Sequence, residues 1–153
     1  MNENVWPLVA FLAFGAAVVL VPAHSWRELW PTSLVGGFLL AYLIQYLVGE
    51  VLGAWRHLFP SLNLIGIPVW LPLAWFFETL IFMHFLPRTW YWRLVYVLFF
   101  GAAASGLVAT FRILGIRPLF RGWSPLEAFL LGVFAHFAVL GIDRAVRPQR
   151  VEV

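Results

Sequence analysis

Long apolar runs alternate along the chain with short stretches that carry half of the prolines and most of the arginines. Each run approaches the roughly 20 residues that an α-helix needs to cross a bilayer. Backbone amides cannot stay unpaired in hydrocarbon, so such runs predict helices. The pattern predicts one domain, residues 1–153, folded as an all-α polytopic membrane helix bundle of five transmembrane helices with short loops. The five predicted spans are about Val5–Ala23, Thr32–Ala54, Ile65–Leu86, Trp92–Leu114 and Pro125–Val146.

Composition supports lipid as the solvent for this chain. Hydrophobic residues make up 63% of its 153 residues and charged residues 11%, whereas soluble domains carry about 25% charged residues. There is no cysteine, which excludes disulfides, thiolate metal sites and cysteine nucleophiles. All ten basic residues are arginines that lie singly or in pairs near the ends of the apolar runs or between them. This spacing is typical of membrane anchors, and we predict no nucleic-acid partner.

The arginines also predict an orientation. An outside N-terminus and an inside C-terminus place six arginines in the cytoplasm and four on the other side, as the positive-inside rule favours. The six are Arg27, Arg88, Arg93, Arg144, Arg147 and Arg150, and the four are Arg56, Arg112, Arg117 and Arg121. The first run lacks a basic N-terminal region and is long for a signal peptide, so we expect it to be retained; cleavage near Ala23 is the alternative.

Tryptophans and small residues indicate how the spans sit and pack. Most tryptophans lie near run ends, as in the aromatic belts of membrane proteins; these are Trp6, Trp26, Trp30, Trp55, Trp90, Trp92 and Trp123. Pairs of small residues four apart predict close helix contacts within the bundle, or alternatively a dimer face. The pairs are Gly101–Ser105, Ala102–Gly106, Gly49–Gly53 and Ala128–Gly132.

Two prolines, Pro68 and Pro72, stand at the start of the third run. They predict a helix that begins at or just after Pro68 and bends at Pro72. The alternative is a broken helix whose free carbonyls line a ligand cavity above Glu78.

Glu78 and His136 are the residues that most invite a functional interpretation. Both are ionisable and lie near the middle of apolar runs, where such groups are costly and tend to serve function. The third and fifth spans run in the same direction, so the two residues fall at similar depth, and we expect them to face each other or to share a water. A proton-handling or ligand-binding pair is one interpretation. An interhelical hydrogen bond with a purely structural role is the other.

Secondary candidates lie nearer the predicted interfaces. Glu50 and Arg112 share one membrane side and are predicted to form an ion pair. Glu127, on the same side, follows a Ser-Pro pair and is expected to stabilise the start of its helix. On the opposite side His84, Asp143 and Arg144 cluster in depth. Headgroup-level charges that anchor the topology are the simpler interpretation of this whole set.

No motif fixes a reaction or a cofactor. Glu78, His84, His136 and Asp143 are potential metal ligands, but they lack a short ligand spacing, and we predict no metal and no cofactor. A haem held by His84 and His136 would require equal depth, whereas the two differ by roughly 12 Å of helical rise. There is no serine nucleophile motif and no phosphate-binding loop, and no catalytic residue is assigned.

Three stretches taken together resemble a family of small integral membrane proteins, about 150 residues long, from spore-forming Firmicutes. They are VPAHSWRELWPT at 21–32, GIPVWLPLAWF at 66–76 and FMHFLPR at 82–88. The similarity covers roughly residues 21–141. The resemblance implies a multi-pass protein of the bacterial cytoplasmic membrane, and it implies no activity and no catalytic residues.

Three classes of function remain open at this point. The first is a non-enzymatic accessory, assembly or sensing module with a protein partner or a second copy in the membrane. The second is a small proton-coupled transporter or permease that uses Glu78 and His136. The third is an intramembrane enzyme that acts on lipid with the same two residues as acid and base.

Overall fold

The computed structural model describes residues 4–58, 62–120 and 122–147, and most of this part of the chain is helical. The predicted all-α class is therefore confirmed. Five helices follow one another: α1 (Val5–Leu20), α2 (Ala23–Val51), α3 (Trp70–His84), α4 (Trp90–Ile113) and α5 (Pro125–Val146). Arg121 and Arg150, which entered the orientation argument, lie outside the described residues.

Three of the helices, rather than the five predicted, are long and apolar enough to cross a membrane: α2, α4 and α5. The other two are shorter than their apolar runs. Helix α1 has 16 residues and α3 has 15, which gives roughly 24 Å and 22 Å of rise against a hydrocarbon core of about 30 Å. The last residues of the first run are not part of α1, because the chain turns at Val21 and Pro22. The first residues of the third run form a β-hairpin instead of helix.

Helix α2 begins nine residues earlier than the apolar pattern predicts, at Ala23 rather than Thr32. The polar stretch before Thr32 is helical because Ser25, Leu29 and Thr32, at a spacing of three to four residues, share one buried face. Pro31 therefore lies inside the helix and does not end it. Two stretches of π-helix follow within α2, at Ser33–Leu39 and Gln45–Val51.

The entry to α3 is a tight hairpin of two short strands, β1 (Asn63–Leu64) and β2 (Ile67–Pro68). Its turn residues Ile65 and Gly66 both have positive φ, 53° and 79°, as a two-residue hairpin turn requires. Helix α3 then starts at Trp70, and Pro72 falls in its first turn, where a missing N–H has no intrahelical partner to lose. The prediction of a helix that begins just after Pro68 is confirmed, and no broken helix is present in this segment.

Helix packing follows a simple order across the bundle. Helix α3 packs against α1 and α2, and α5 packs against α2 and α4. The largest buried cluster sits where α2, α3, α4 and α5 meet, and it consists of Leu29, Leu80, Phe82, Met83, Val97 and Val139.

Close helix approach depends on a few glycines. A Cβ atom on Gly37 of α2 would lie 2.8 Å from the Cα of Phe76 in α3. A Cβ on Gly132 of α5 would lie 3.2 Å from the Cα of Gly101 in α4. The predicted role of Gly101 and Gly132 in helix packing is confirmed. Gly106 is different, because nothing lies within 4 Å of the position a Cβ would take there.

The connections after α2 and α4 pair with each other at one end of the bundle. Trp55 and Leu119 form an isolated antiparallel bridge, and the backbone N–H of Phe120 donates to the carbonyl of Ala54 at 2.8 Å. We call this end, where α1, α3 and α5 begin and α2 and α4 finish, the loop-paired end. Trp6 closes it from α1 by donating from Nε1 to the carbonyl of Leu58 at 3.1 Å.

The tryptophans of the predicted aromatic belt differ in how far their side chains are exposed. Trp30, Trp90 and Trp92 are exposed, as expected for residues at the membrane interface. Trp6 and Trp55 are buried at the loop-paired end, so the belt prediction is wrong for them. Both are buried because their indole N–H groups find acceptors within the protein, Leu58 and Gln45.

Candidate functional site

Glu78 and His136 are in direct contact inside the bundle. Nε2 of His136 lies 3.0 Å from Oε1 of Glu78, and Nδ1 of the same ring lies 2.7 Å from the carbonyl oxygen of Gly132. The expected meeting of the two side chains across α3 and α5 is therefore present. Whether the pair is functional or structural stays a prediction at this point.

The hydrogen bonds define where the protons of this pair lie. A carbonyl oxygen only accepts, so Nδ1 of His136 must carry a hydrogen and donate it to Gly132. Nε2 and the Glu78 oxygen, at 3.0 Å, need one proton between them, because two acceptors would repel each other. With one shared proton the pair is neutral overall, whether that proton resides on nitrogen or on oxygen. A neutral pair is the form that apolar surroundings favour.

Aromatic rings fix the imidazole and leave the carboxyl group accessible. Trp75 stacks on His136 at 6.2 Å between ring centroids, while Phe82 and Phe100 approach it at 4.7 Å and 5.4 Å. The His136 side chain is 4% exposed, whereas that of Glu78 is 32% exposed. The member of the pair that an incoming molecule meets is therefore Glu78.

Glu78 and His136 form part of the wall of a cavity of about 390 Å³. This volume falls in the range of roughly 300–1,000 Å³ that small-molecule sites occupy. All five helices contribute to the wall, which is almost entirely apolar. Its members with a polar group besides the pair are Gln45, Arg117 and the tryptophans Trp55, Trp75 and Trp123.

The cavity opens sideways between α1 and α4. Leu12 of α1 and Leu107 of α4 both line it, and yet they are 65% and 54% exposed. Helix α4 packs chiefly on α5, and it meets α1 at the loop-paired end, where the rings of Phe111 and Trp6 lie 5.4 Å apart. The opening faces the medium that surrounds the bundle rather than its loops.

A second polar cluster lies in the cavity wall at the loop-paired end, centred on the amide oxygen of Gln45. This one atom accepts hydrogen bonds from Nε1 of Trp55 at 3.0 Å, Nε2 of His57 at 3.1 Å and Nη2 of Arg117 at 2.8 Å. The Arg117 guanidinium also lies over the Trp55 ring, 4.1 Å from its centroid, in a cation–π contact. Gln45 thereby ties the end of α2 to both of the paired loops.

Arg117 is a buried cation without a carboxylate partner among the described residues. It is 5% exposed, and no Asp or Glu of residues 4–58, 62–120 and 122–147 forms an ion pair with it. Its Nε atom is buried and has no hydrogen-bond acceptor in the same part of the chain. Burial lowers the pKa of Arg117 to about 9, so it remains charged at neutral pH. Burial, and next the positive charge of Arg117, lower the pKa of His57 to about 2, so His57 is neutral.

Glu50 and Arg112 are not brought together, and their predicted ion pair is wrong. Both are exposed, and among the described residues they form no salt bridge. Helix α4 lies chiefly against α5, and Glu50 instead lies beside Gly66 of the hairpin. Glu127 behaves as expected, because it accepts from the backbone N–H of Ser124 at 2.8 Å in a capping box at the start of α5.

The predicted group of His84, Asp143 and Arg144 does not form a site. Asp143 accepts from Oγ1 of Thr32 at 2.6 Å and pairs with Arg147, one turn further along α5. His84 contacts the ring of Phe85. Within the described residues no three His, Asp or Glu side chains come together as metal ligands.

Sequence reasoning missed the cluster around Gln45. It counted Arg117 only as a topology anchor, although the residue is buried, and it gave no role to His57. One signal was available, since Gln45 is a polar residue within an apolar run, where an uncharged amide also needs a partner. The burial of Arg117 had no local signal, because it depends on the pairing of two loops distant in sequence.

No family model matches the chain, and comparisons with curated proteins and with solved structures find no match. The fold and the site themselves define the class: an all-helical protein with three helices apolar and long enough for a membrane, and with a cavity among its helices.

Proposed function

We propose that this protein is a five-span module of the bacterial cytoplasmic membrane that binds a small amphipathic molecule in its intramembrane cavity and has no enzymatic activity. Such a protein would act as a sensing or accessory component for a membrane partner. The observation that carries the proposal is the Glu78–His136 pair, which places the carboxyl group of Glu78 in the wall of a largely apolar cavity.

Five spans are proposed although α1 and α3 are short, because both helices are integral to the bundle. Helix α1 packs along α3, and α3 contributes Leu80 and Phe82 to the largest buried cluster. Helices of about 22–24 Å can cross a bilayer that thins locally around them. The N-out, C-in orientation and the bacterial membrane remain part of the proposal, on the arginine distribution and on the family resemblance.

Binding is favoured over lipid chemistry by the residues of the cavity wall. Among the described residues, the wall includes no serine, threonine, tyrosine or lysine, so a nucleophile from this part of the chain other than Glu78 or His136 would have to be the ligand's own or water.

A proton-coupled permease is the second candidate, and the proton shared by Glu78 and His136 is the observation that favours it. Glu78→Gln keeps the shape of the pair but removes the shared proton. Purified protein in vesicles with an imposed pH gradient should show no proton flux beyond that of empty vesicles if binding is the function. A flux that Glu78→Gln abolishes would replace binding with transport.

The binding proposal is tested with a neutral single-chain probe, monoolein, and two matched variants of α4. Both Ala103 and its neighbour Ala102 are exposed, but only Ala103 lines the cavity. We expect native mass spectrometry to show monoolein bound to the wild type and to Ala102→Phe. Ala103→Phe should bind it at least about tenfold more weakly, because the ring occupies the cavity. Equal binding by the two variants, or none by the wild type, would contradict the proposal.

A further inference from the structure

Arg117 lies at one end of the cavity, just as the headgroup lies at one end of a lipid in a bilayer leaflet. Arg117 lies in the loop between α4 and α5, at the loop-paired end. His136, in the same cavity wall, is eleven residues into α5, which is roughly 16 Å along the helix axis from its start. The cavity therefore runs along the helices, from the level of the loops to the middle of the bundle, with its cation at the loop level.

The remaining wall suits an acyl chain. Between Arg117 and His136 it is built from aliphatic and aromatic side chains such as Leu71, Val108 and Leu131. The side opening between α1 and α4 connects this wall with the surrounding hydrocarbon, so a chain can enter without crossing the headgroup region.

The charge at the loop level lacks a counterion among the described residues. A buried guanidinium is costly unless an anion compensates it, and Gln45 supplies only the partial charge of an amide oxygen. The unpaired Nε of Arg117 and the unpaired indole N–H of Trp123, which also lines the cavity, are two further buried donors. Donors of this kind match the oxygens of a phosphate or a carboxylate.

We propose that the cavity binds a single-chain anionic lipid, with its phosphate or carboxylate on Arg117 and its chain in the apolar wall that ends at Glu78 and His136. This inference rests on the proposed binding function and adds the class of ligand. The bound anion would supply the counterion that Arg117 lacks, and the opening between α1 and α4 would be its route from the bilayer.

The test compares three probes that share one oleoyl chain: oleate, oleoyl lysophosphatidic acid and neutral monoolein. Each is titrated into purified protein in neutral detergent, and its dissociation constant is measured by native mass spectrometry. The two anions should bind the wild type roughly ten- to a hundredfold more tightly than monoolein, as expected for hydrogen bonds to a charged group. Inorganic phosphate alone serves as the probe for a free anion.

Two variants remove the anion site in different ways. Arg117→Gln deletes the cation. Gln45→Glu keeps Arg117 but places a carboxylate where its amide partner was, so the protein supplies its own anion. Both variants should lose the preference for anions and keep the affinity for monoolein, and Gln45→Glu should fold even if Arg117→Gln does not. Arg112→Gln, an exposed arginine near the same end, is the control and should bind like the wild type.

The outcomes separate this inference from the proposed function. Equal affinity for all three probes, in the wild type and in Gln45→Glu, with loss in Ala103→Phe, would overturn the anion site and leave chain binding intact. No binding of any probe would overturn both. If inorganic phosphate displaces oleoyl lysophosphatidic acid at concentrations similar to those of the lipid itself, the ligand is a free anion and the lipid assignment is wrong.

Discussion

Gly37→Ala should separate α2 from α3 just beside the Glu78–His136 pair. The added Cβ would lie 2.8 Å from the Cα of Phe76 and from the carbonyl oxygen of Trp75, and 2.9 Å from Oγ1 of Thr79. Carbon atoms in contact normally lie about 3.5–4.0 Å apart. Two of these three neighbours are backbone atoms, which cannot turn away as a side chain would, so the helices must move apart by several tenths of an ångström.

The expected cost follows from two opposing effects. Overpacking of a well-packed contact lowers the free energy of unfolding by about 1–3 kcal/mol. Replacing a helical glycine by alanine raises it by roughly 0.5–1 kcal/mol. Gly37→Ala should therefore lower the free energy of unfolding by up to about 2.5 kcal/mol. Gly106→Ala, on α4, is the matched control, because nothing lies within 4 Å of its Cβ position. The helix effect cancels in the difference between the two variants, which should be about 1–3 kcal/mol.

The measurement is unfolding in mixed micelles with increasing SDS, followed by the circular dichroism of the helices. Gly37→Ala should unfold at a lower SDS fraction than the wild type, and Gly106→Ala at the same fraction or a higher one. If the two variants unfold at the same SDS fraction, α2 and α3 are not in close contact at Gly37. The position of Glu78 on α3 beside α5 is then not supported.

Two further predictions use the same measurement. Burial and the charge of Arg117 lower the pKa of His57 to about 2 from 6.5. The contribution of His57 to the free energy of unfolding is therefore complete above pH 6.5, and it is lost as the pH falls and the unfolded chain takes up a proton. Between pH 7 and pH 5 the loss should be roughly 2 kcal/mol. His57→Gln should lose much less over that interval, and an identical pH dependence would refute the assignment. Ser124→Ala removes the cap of α5 and should lower the free energy of unfolding by about 1 kcal/mol. Thr89→Ala is the control, because Thr89 is at the cap position of α4 and makes no capping hydrogen bond with its side chain, so it should be nearly neutral. Equal losses of stability in the two variants would contradict the capping box.

The central pair could be predicted from the sequence because two simple constraints act on it. A charged residue in an apolar run needs a partner, and alternating helix direction puts α3 and α5 in the same sense, which brings Glu78 and His136 to similar depth. The bounds of α5 were also predictable, since Ser124, Pro125 and Glu127 carry a local start signal that the structure uses.

Other features depend on contacts that no local pattern encodes. Helix α2 extends back to Ala23 because Ser25 and Leu29 are buried against other helices, although the stretch is polar on average. Arg117 is buried because the loop after α4 pairs with the loop after α2. Glu50 and Arg112 lie at the same end of the bundle, but depth alone does not say which helices are neighbours.

The π-helical stretch Ser33–Leu39 in α2 has a consequence for the phase of that helix. An i→i+5 turn takes in one residue more than an ordinary turn, and one residue corresponds to about 100° of rotation about the helix axis. Thr32 and Gln45 lie on either side of this stretch, and both are buried. If the stretch tightened into a regular helix, one of the two would swing out of the protein interior. Removing one residue as the stretch tightened would instead keep both halves in phase, so the extra residue of the π-helical stretch sets which polar groups reach the two ends of the bundle.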